Sequence, residues 1–547
     1  MAKTPPHPTS RRWLAIAAIA LSGAYAAQSA TGNVSLIEAI KNGDNAAVRS
    51  LLAGHADVNA SEADGSTPLL LAVDRNNLEI TDLLLSAGAK ADAATRYNIT
   101  PLALACLNGN APIVDRLLKA GADANGFSSE GQTALMSAAR NGNVAAVKVL
   151  LTHGAKVNVT EPFRGQTALM WAAGEGNTAA AELLVEFGSE LKAKSRSGFT
   201  AFLFAVRNHH IDTAKMLLEH GANVEDRAPD GTTALNMAVV NGYYDLASML
   251  LDYHANPNAS DPDGSPLHEL AWLRKPGTPW EAAGLGEDPV GPPRPTGNVT
   301  SEELAKKLLA HGENPNARIA WKEMRMTAAL GATSNPPNIP LGRHYLSFVG
   351  ATPFYVAARN GDAPFMRLLV AAGADPNIST EVGVTPLMAA AGLDYYEGET
   401  PGPFNGTSEA ERLEAVKLCV QLGNDVNART DFGNYPMIGS AELMLKRYPL
   451  NAEDLFGLGV GDPRFTGTTA LFGAVISNQP SIVQYLVDHR AKLDAKSTLG
   501  WTPLMVSRGI FLANAHKEFP EAEKILLQAM KQQGLVASSG TNPASSR

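Results

Sequence analysis

Few residues in the chain are arranged in a pattern that could support catalysis or bind a metal. His268-Glu269 begins the pattern of a zinc-protease helix, but Trp272 stands where the second metal-binding histidine would have to be. We interpret the pair instead as a helix-opening histidine followed by a glutamate on the helix surface. The chain contains no Gly-Lys dipeptide, which excludes a phosphate-binding P-loop, and no Gly-x-Ser-x-Gly nucleophile motif.

Two further groups of polar residues are weaker candidates for metal ligands. Asp261-Pro262-Asp263-Gly264 resembles the start of a calcium loop, but the later ligands are missing, so we expect a hairpin tip. Three histidines near a helix break are expected to lie on a solvated surface: His209, His210 and His220. The residues therefore predict no catalytic residue, no metal site, no cofactor-binding residue and no cofactor.

The composition narrows the class of protein further. The 547 residues are 45% hydrophobic and 18% charged, which excludes collagen-like, wholly disordered and polytopic membrane proteins. The formal charge of −9 disfavours a nucleic-acid partner, because binding a phosphate backbone needs a basic surface. The two cysteines, Cys106 and Cys419, fall on apolar helix positions and are expected to be buried and unpaired.

The N-terminal residues resemble an export signal. Arg11-Arg12 precedes an apolar run from Trp13 to about Ala27, and Ala24-Tyr25-Ala26 matches a small-x-small cleavage site. The run is shorter than the roughly 20 residues needed to span a bilayer. We therefore predict a signal peptide at 1–26, export to the periplasm or beyond, and no membrane span after its removal. The alternative is an uncleaved anchor or a buried N-terminal helix.

After this segment the sequence repeats with a period of 33 residues. Threonines recur at steps of 33 or 34 residues: Thr67, Thr100, Thr133, Thr167, Thr200 and Thr233. Pairs of leucines keep the same spacing over seven units, from Leu51-Leu52 to Leu250-Leu251. The threonine spacing returns twice further along the chain: Thr352 and Thr385, then Thr469 and Thr502.

Each period predicts two short helices and a turn. In Thr67-Pro68-Leu69 the hydroxyl is placed to cap a helix, and proline at the first helical position loses no hydrogen bond. Asn76-Asn77 ends this helix, and Gly88 ends the second helix in the left-handed conformation. A polar stretch then makes a tight turn at Asp64-Gly65 or its equivalent. One unit cannot bury both helices, so the units must stack.

These units resemble ankyrin repeats. The resemblance rests on the period, the Thr-Pro-Leu openings, and endings such as Gly121-Ala122-Asp123 and Gly373-Ala374-Asp375-Pro376-Asn377. The chain departs from the family after Thr-Pro-Leu, where only His268 keeps the usual histidine. The implied fold class is all-α: an α-solenoid of stacked helix-turn-helix repeats with β-hairpin fingers, interrupted by loop insertions.

The domain organisation follows from where the period is kept and where it is lost. The 87 residues from Ser265 to Thr352 exceed two periods and predict loop insertions at 274–300 and 321–350, and a third insertion is predicted at 394–407. The predicted segments are a signal peptide at 1–26, a regular array at 27–264, a repeat with two insertions at 265–350, repeats with one insertion at 351–428, a degenerate repeat or insertion at 429–468, C-terminal repeats and a cap at 469–535, and a disordered tail at 536–547.

The resemblance implies that partners bind the inner helices and the finger tips. Aromatic and arginine side chains at those positions resemble the hot spots of protein interfaces. The predicted partner-binding residues are Arg96, Tyr97, Phe163, Arg164, Trp171, Arg196, Phe199, Phe204 and Met237. The alternative is that some of these rings pack between repeats as core.

Three functions are consistent with the sequence. The first is a non-catalytic, exported scaffold that binds a protein partner through the concave face. The second is a secreted effector that binds host proteins. The third is a ligand-binding or enzymatic site in the loops at 274–300 and 321–350, with Trp321, His344 and Tyr345 as candidates. The sequence predicts neither the identity of the partner nor the oligomeric state.

Overall fold

The computed structural model describes residues 35–259, 264–274, 295–320, 326–327, 332–333, 349–393, 407–431, 466–498, 500–509 and 518–535. The chain forms two compact units, Met1–Pro229 (unit 1) and Asp230–Arg547 (unit 2). Within each unit the helices come in pairs, and corresponding helices of neighbouring pairs pack on one another. The described residues confirm the predicted fold class, an all-α solenoid of repeats.

Unit 1 is built from short helices that alternate along the chain. Its described helices are α1 Leu36–Lys41, α2 Asn45–Ala53, α3 Pro68–Asp74, α4 Leu78–Ser86, α5 Pro101–Leu107, α6 Ala111–Lys119, α7 Ala134–Arg140, α8 Val144–Thr152, α9 Ala168–Gly174, α10 Thr178–Glu186, α11 Ala201–Arg207 and α12 Ile211–Glu219. From α3 onward, first helices have seven residues and second helices nine. Such short helices depend on packing for their stability.

In unit 1 the first helix of each pair after α1 begins at a capping threonine, as predicted, and α1 is capped by Ser35. The hydroxyl oxygen of Thr67 accepts the N–H of Leu70 at 3.3 Å, and Pro68 follows at the first helical position. The same cap recurs in the other repeats of unit 1, at Thr100, Thr133, Thr167 and Thr200. Each hydroxyl satisfies a backbone donor that has no partner inside the helix, so the helix start is fixed locally.

The break between the two helices of a pair is also local. Asn76 has a φ of +54°, which ends α3, and Asn77 caps α4 by accepting the N–H of Ile80 at 3.1 Å. Two residues after α4, Gly88 has a φ of +91°, a conformation that glycine adopts without steric cost. The predicted helix break and glycine ending are both confirmed.

The fingers that join one repeat to the next are tight turns. In one of them the N–H of Thr95 donates to the carbonyl oxygen of Ile99 at 3.0 Å. Among the described residues of unit 1, the strand-like pairing amounts to isolated bridges, such as the one between Phe127 and Thr133. A turn of this length closes on one or two hydrogen bonds and has no room for a ladder, so the predicted β-hairpins are reduced to turns.

Asparagine side chains tie several of the repeats to the next. In unit 1, Asn59 donates through Nδ2 to the carbonyl oxygen of Gly88 at 3.3 Å and accepts the N–H of Lys90 at 2.9 Å. The same pair of bonds, which we call the asparagine clip, recurs in both units: at Asn125, Asn158, Asn258, Asn316 and Asn427. Each clip satisfies a carbonyl left open at a helix end.

Unit 2 continues the same helix pairs. Its described helices are α13 Ala234–Val240, α14 Tyr244–Asp252, α15 Pro266–Leu273, α16 Ser301–Ala310, α17 Pro353–Arg359, α18 Ala363–Ala371, α19 Pro386–Ala390, α20 Glu409–Gln421, α21 Ala470–Ile476, α22 Pro480–Asp488, α23 Pro503–Ser507 and α24 Pro520–Gln532. Two short strands, β1 Met326–Thr327 and β2 Ala332–Thr333, pair antiparallel with Met326 opposite Thr333. None of the described helices combines the length and the apolar character needed to cross a membrane.

The extra chain in unit 2 leaves its stacking intact. The clip partners are 29 or 30 residues apart in unit 1, but 54, 57 and 63 residues apart in unit 2. Around 429–468, α19 packs on α21 and α20 packs on α22. The flanking repeats therefore stack directly on each other, and whether 429–468 is a degenerate repeat or an insertion stays a prediction.

Arg274 anchors the chain where the first insertion of unit 2 begins. Its Nε donates to Oδ2 of Asp362 at 2.7 Å, and its Nη1 donates to Oγ of Ser301 at 2.7 Å. The guanidinium carbon lies 4.8 Å from the centroid of the Phe365 ring. Asp362 is buried and also caps α18 through the N–H of Phe365 at 3.1 Å. One arginine thus joins α15, α16 and α18.

Part of the predicted organisation lies outside the described residues, and the domain boundaries stay predictions. This applies to the signal peptide at 1–26, the tail at 536–547, most of the insertions at 274–300, 321–350 and 394–407, and most of 429–468. It also applies to Asp261, which begins the segment that resembles a calcium loop. The candidate residues for a site in the loops lie outside the described residues as well: Trp321, His344 and Tyr345.

Replacing Arg274 with alanine is expected to destabilise unit 2 by about 3 kcal/mol, because the Asp362 carboxylate would stay buried without its cation. Urea denaturation followed by circular dichroism measures the change. The control is Arg367→Ala, which removes an exposed ion pair with Glu414 and should cost less than about 1 kcal/mol. Equal losses in the two variants would show that Arg274 is not an anchor.

Candidate partner-binding surface

The inner helices of unit 1 leave part of their surface open. The relevant side chain is the one two positions after the conserved leucine of each first helix. At this position Leu104, Ser137 and Trp171 are half-buried. In unit 2 the equivalent residues Val356 and Ala389 are fully buried. The open part of the inner surface therefore lies on α5, α7 and α9.

Trp171 lies on this open surface between charged groups. The guanidinium carbon of Arg140 is 4.8 Å from the centroid of the indole, and Nε of Arg140 donates to Oε1 of Glu175 at 3.4 Å. The indole N–H is buried and has no acceptor among the described residues. The half-buried ring thus offers a partner an apolar face that is held in place by a cation.

Phe199 and Phe204 form an aromatic pair, but neither lies open. Their ring centroids are 5.6 Å apart, and Phe204 is 5% exposed. The Phe204 ring also packs against the preceding repeat, where it lies 3.9 Å from the position that a Cβ on Gly174 would take. Their predicted place on an open surface is corrected: both rings pack between repeats.

The same correction applies to Met237 in unit 2. This side chain is 6% exposed and lies on α13, of which every residue is buried. A helix that is covered on all sides has little surface to give to a partner.

Arg207 covers the aromatic pair. Its guanidinium carbon lies 5.2 Å from the centroid of Phe199 and 5.1 Å from that of Phe204. Burial against the rings lowers the pKa of Arg207 below its ordinary value. Its Nε donates to Oδ1 of Asn208 at 3.4 Å, and it makes no ion pair with any described carboxylate of unit 1. Arg207 is therefore a cation held on apolar surface, and none of the carboxylates described in unit 1 neutralises it.

The fingers of unit 1 carry most of its exposed large apolar side chains. Tyr97 is 66% exposed and Phe163 is 67% exposed, and Ile99 and Phe127 are also exposed. These four residues, which we call the finger strip, belong to three consecutive fingers. Nδ2 of Asn98 donates to the carbonyl oxygen of Phe127 at 2.7 Å and ties the first two fingers together. Exposed apolar side chains grouped in this way mark interaction sites.

Glu161 holds the finger that presents Phe163. Its carboxylate accepts the N–H groups of Phe163 at 2.7 Å, Arg164 at 2.7 Å and Gln166 at 3.0 Å. Burial raises the pKa of Glu161, but these backbone donors outweigh it and hold the pKa below its ordinary value. The charged carboxylate therefore fixes the loop before a partner arrives, which lowers the entropic cost of binding.

Arg164 and Arg196 lie on neighbouring fingers and are bonded to each other through the backbone. The N–H of Arg196 donates to the carbonyl oxygen of Arg164 at 2.7 Å, and Nη1 of Arg196 donates to the carbonyl oxygen of Phe163 at 3.3 Å. Both side chains are exposed. Arg96 occupies an earlier finger, where its N–H donates to the carbonyl oxygen of Asp64 at 2.9 Å.

Sequence reasoning missed four residues of this surface. Ile99 and Phe127 lie at the edges of their finger turns, not at the tips, and their apolar type next to a turn was the available signal. Arg140 and Arg207 are the last residues of α7 and α11. The sequence signal that these two arginines take part in binding was weaker, because arginine is common at the C-terminal end of a helix, where it interacts favourably with the helix dipole.

His268 is a structural residue in unit 2. Its Nδ1 accepts the N–H of Ser265 at 3.1 Å, and its Nε2 donates to the carbonyl oxygen of Ala351 at 3.1 Å. Burial lowers the pKa of His268 to about 4, so the imidazole is neutral. The helix-opening role is confirmed. Glu269, expected on the helix surface, is fully buried, because the inner helices of unit 2 are covered where those of unit 1 are open.

Glu313 is a second buried polar group of unit 2. It stands where other repeats have alanine, such as Ala122 and Ala374. Its Oε1 accepts the N–H of Leu267 at 2.9 Å, and Oε2 has no partner among the described residues. Burial raises the pKa of Glu313 to about 8, against the opposing effect of hydrogen bonds from Ser265 and Leu267. The carboxyl group is therefore protonated at neutral pH.

The remaining candidates for chemistry have structural roles. Cys106 and Cys419 are buried as predicted, and burial raises the pKa of both thiols, that of Cys106 to about 12. His210, expected on a solvated surface, is half-buried, and its Nε2 donates to the carbonyl oxygen of Gly174 at 3.0 Å. Over the described ranges, no three His, Cys, Asp or Glu side chains are grouped so that they could hold a metal ion.

The pH dependence of stability of unit 2 should show the titration of Glu313. Its raised pKa gives a stabilisation that is complete below about 4.5 and is lost as the pH rises to about 8. The lowered pKa of His268 makes stability rise with pH instead, and this effect is confined to the pH range from about 4 to 6.5. Between about pH 6.5 and 8 only Glu313 acts, and stability should fall by about 2 kcal/mol.

The variant Glu313→Gln should remove this fall, because glutamine does not titrate. Urea denaturation at the two ends of that pH range measures it. Glu414→Gln, an exposed glutamate of the same unit, serves as the control and should leave the fall unchanged. A fall of the same size in Glu313→Gln would mean that Glu313 is not protonated in the folded protein.

The comparison with known families agrees with this architecture. The family model described as "Ankyrin repeats (3 copies)" matches residues 20–95, 36–128, 91–161, 125–195 and 169–261, and the model described as "Ankyrin repeat" matches residues 349–381. Together these ranges cover half of the chain. No curated protein matches it. The chain belongs to the ankyrin repeat family, whose repeats serve as modules for protein–protein interaction.

Proposed function

We propose that this protein is a non-catalytic, exported scaffold that binds a partner protein through the finger strip and the open inner helices of unit 1. The observation that carries the proposal is the exposure of Tyr97, Phe127 and Phe163 on three consecutive repeats. A large exposed aromatic side chain leaves apolar area in contact with water, and covering that area by a partner is favourable. Side chains of this type dominate the binding energy of protein interfaces.

The geometry supports a preformed binding surface. Glu161 fixes the backbone of the Phe163 finger, and Asn98 joins the Tyr97 finger to the Phe127 finger. A surface that is already ordered loses little conformational entropy when it binds. The repeats beneath the fingers are stacked and clipped, so the spacing of these side chains is set by the fold.

The partner can be recovered with a matched set of variants of the mature chain, 27–547. Tyr97→Ala combined with Phe163→Ala should lower retention of the partner by about tenfold or more, because exposed hot-spot aromatics are removed without disturbing the core. Phe187→Ala, an exposed phenylalanine at the end of α10, is the control and should leave retention unchanged. The measurement is quantitative mass spectrometry of proteins retained from the native envelope fraction. Equal retention by all three proteins would refute binding at the finger strip.

Export is the second part of the proposal. It is supported by Arg11-Arg12, the apolar run after it, and the small residues of Ala24-Tyr25-Ala26. Protein isolated from its native cells should begin near Ala27 and should be found in the periplasm or the medium. N-terminal peptide mapping of each cell fraction measures this. An intact N-terminus in the cytosolic fraction would contradict export, and recovery from the medium would favour the secreted effector over the periplasmic scaffold.

A further inference from the structure

We propose that the partner segment bound by unit 1 is acidic, and that its carboxylates bind a row of three arginines: Arg164, Arg196 and Arg207. We call these residues the arginine row. The proposal rests on the proposed function and adds the chemistry of the partner to it. It predicts an extended protein segment in which aspartates or glutamates alternate with apolar residues.

Arg207 gives the strongest reason. Its guanidinium group lies over the rings of Phe199 and Phe204, at 5.2 and 5.1 Å from their centroids. Water is excluded from the ring side of the guanidinium, so an incoming carboxylate interacts with it more strongly than it would in bulk solvent. The planar fork of arginine suits bidentate binding of a carboxylate, and stacking on rings orients that fork in advance.

Arg164 and Arg196 extend the positive charge onto the fingers. Arg196 uses Nη1 to bond the carbonyl oxygen of Phe163 at 3.3 Å, which positions the side chain beside the most exposed ring of the finger strip. Neither arginine makes an ion pair with a carboxylate in the described part of unit 1. A partner carboxylate that binds here can place an apolar neighbour against Phe163.

The nearby acidic groups of unit 1 are already engaged. Glu161 is close enough to feel the charge of Arg164, but its oxygens accept three backbone N–H groups of its own finger. Glu175 accepts from Arg140 at 3.4 Å, and Asp226 accepts the hydroxyl of Thr200 at 2.9 Å. The charge of the arginine row therefore remains available to an external carboxylate.

The net charge of the chain makes this row selective. The protein carries a formal charge of −9, so an acidic partner is repelled by the molecule as a whole and attracted where cations are grouped, as in the arginine row. A nucleic acid needs a broad basic surface, whereas this row is narrow and lies next to apolar side chains. The combination of charge and aromatic surface favours a protein segment.

The test uses two fluorescent peptides of equal length and the whole mature protein. The first peptide alternates glutamate with leucine and tyrosine, and the second has glutamine in place of every glutamate. Fluorescence anisotropy should show about tenfold tighter binding of the glutamate peptide at low ionic strength, with the difference shrinking as salt is added. Equal affinity for the two peptides would overturn the acidic partner and leave binding at the finger strip standing.

Variants then locate the site. The triple change Arg164→Gln, Arg196→Gln and Arg207→Gln should abolish the preference for the glutamate peptide. The matched control removes three positive charges from the second helices α2, α6 and α8: Arg49→Gln, Arg116→Gln and Lys148→Gln. The control should keep the preference, and a loss of the same size would overturn the assignment to the arginine row.

A second variant protects the test against misfolding. Arg207→Lys keeps the charge but loses the planar fork, and it should lower the preference for the glutamate peptide while the circular dichroism spectrum is unchanged.

Single-stranded DNA of matched charge is added as a competitor. If the DNA binds as tightly as the glutamate peptide and displaces it, the arginine row is a general anion site. That result would overturn the proposal that the row binds an acidic protein segment. Loss of the native partner from Tyr97→Ala/Phe163→Ala remains the separate test of the proposed function.

Discussion

Burial of short helices against their neighbours is the interaction on which the whole protein depends. A pair of seven- and nine-residue helices covers its apolar face only when another pair stacks on it, which is why Ala72 and Leu84 are fully buried. A side chain that is buried by stacking is not available to contact a partner. What remains free is the row of fingers and the ends of the inner helices in unit 1, and the aromatic and arginine side chains of the candidate surface lie there.

Much of the fold could be predicted because its determinants lie within one repeat. The cap at Thr67 and the ending at Gly88 depend on residues a few positions away. Exposure could not be predicted in the same way. Phe163 and Phe204 both stand at positions where the family binds partners, yet one is 67% exposed and the other 5%. The difference lies in what covers each ring: Phe204 packs against Phe199 and under the guanidinium group of Arg207, whereas Phe163 stands on an exposed finger.

The two units use the same repeat for different purposes. Unit 1 keeps charged side chains on its inner helices and fingers and leaves several of them in contact with solvent. Unit 2 buries its inner helices, and two of the polar groups inside it are held without charge, His268 as a neutral imidazole and Glu313 as a carboxylic acid. A neutral polar group costs far less to bury than an ion does. The first unit is thus suited to binding, and the second to carrying extra chain between its helices.

The asparagine clips make the joints that carry them equivalent. The bond from Asn158 closes a span of 30 residues and the bond from Asn427 a span of 63, with the same two backbone groups of the next repeat. Lengthening a loop adds little to its closure entropy. A gene that encodes such repeats can therefore gain codons between two clips, or duplicate the codons of a whole repeat, and the encoded repeats still stack. New surfaces arise in such a lineage by addition, while the older joints stay under unchanged selection.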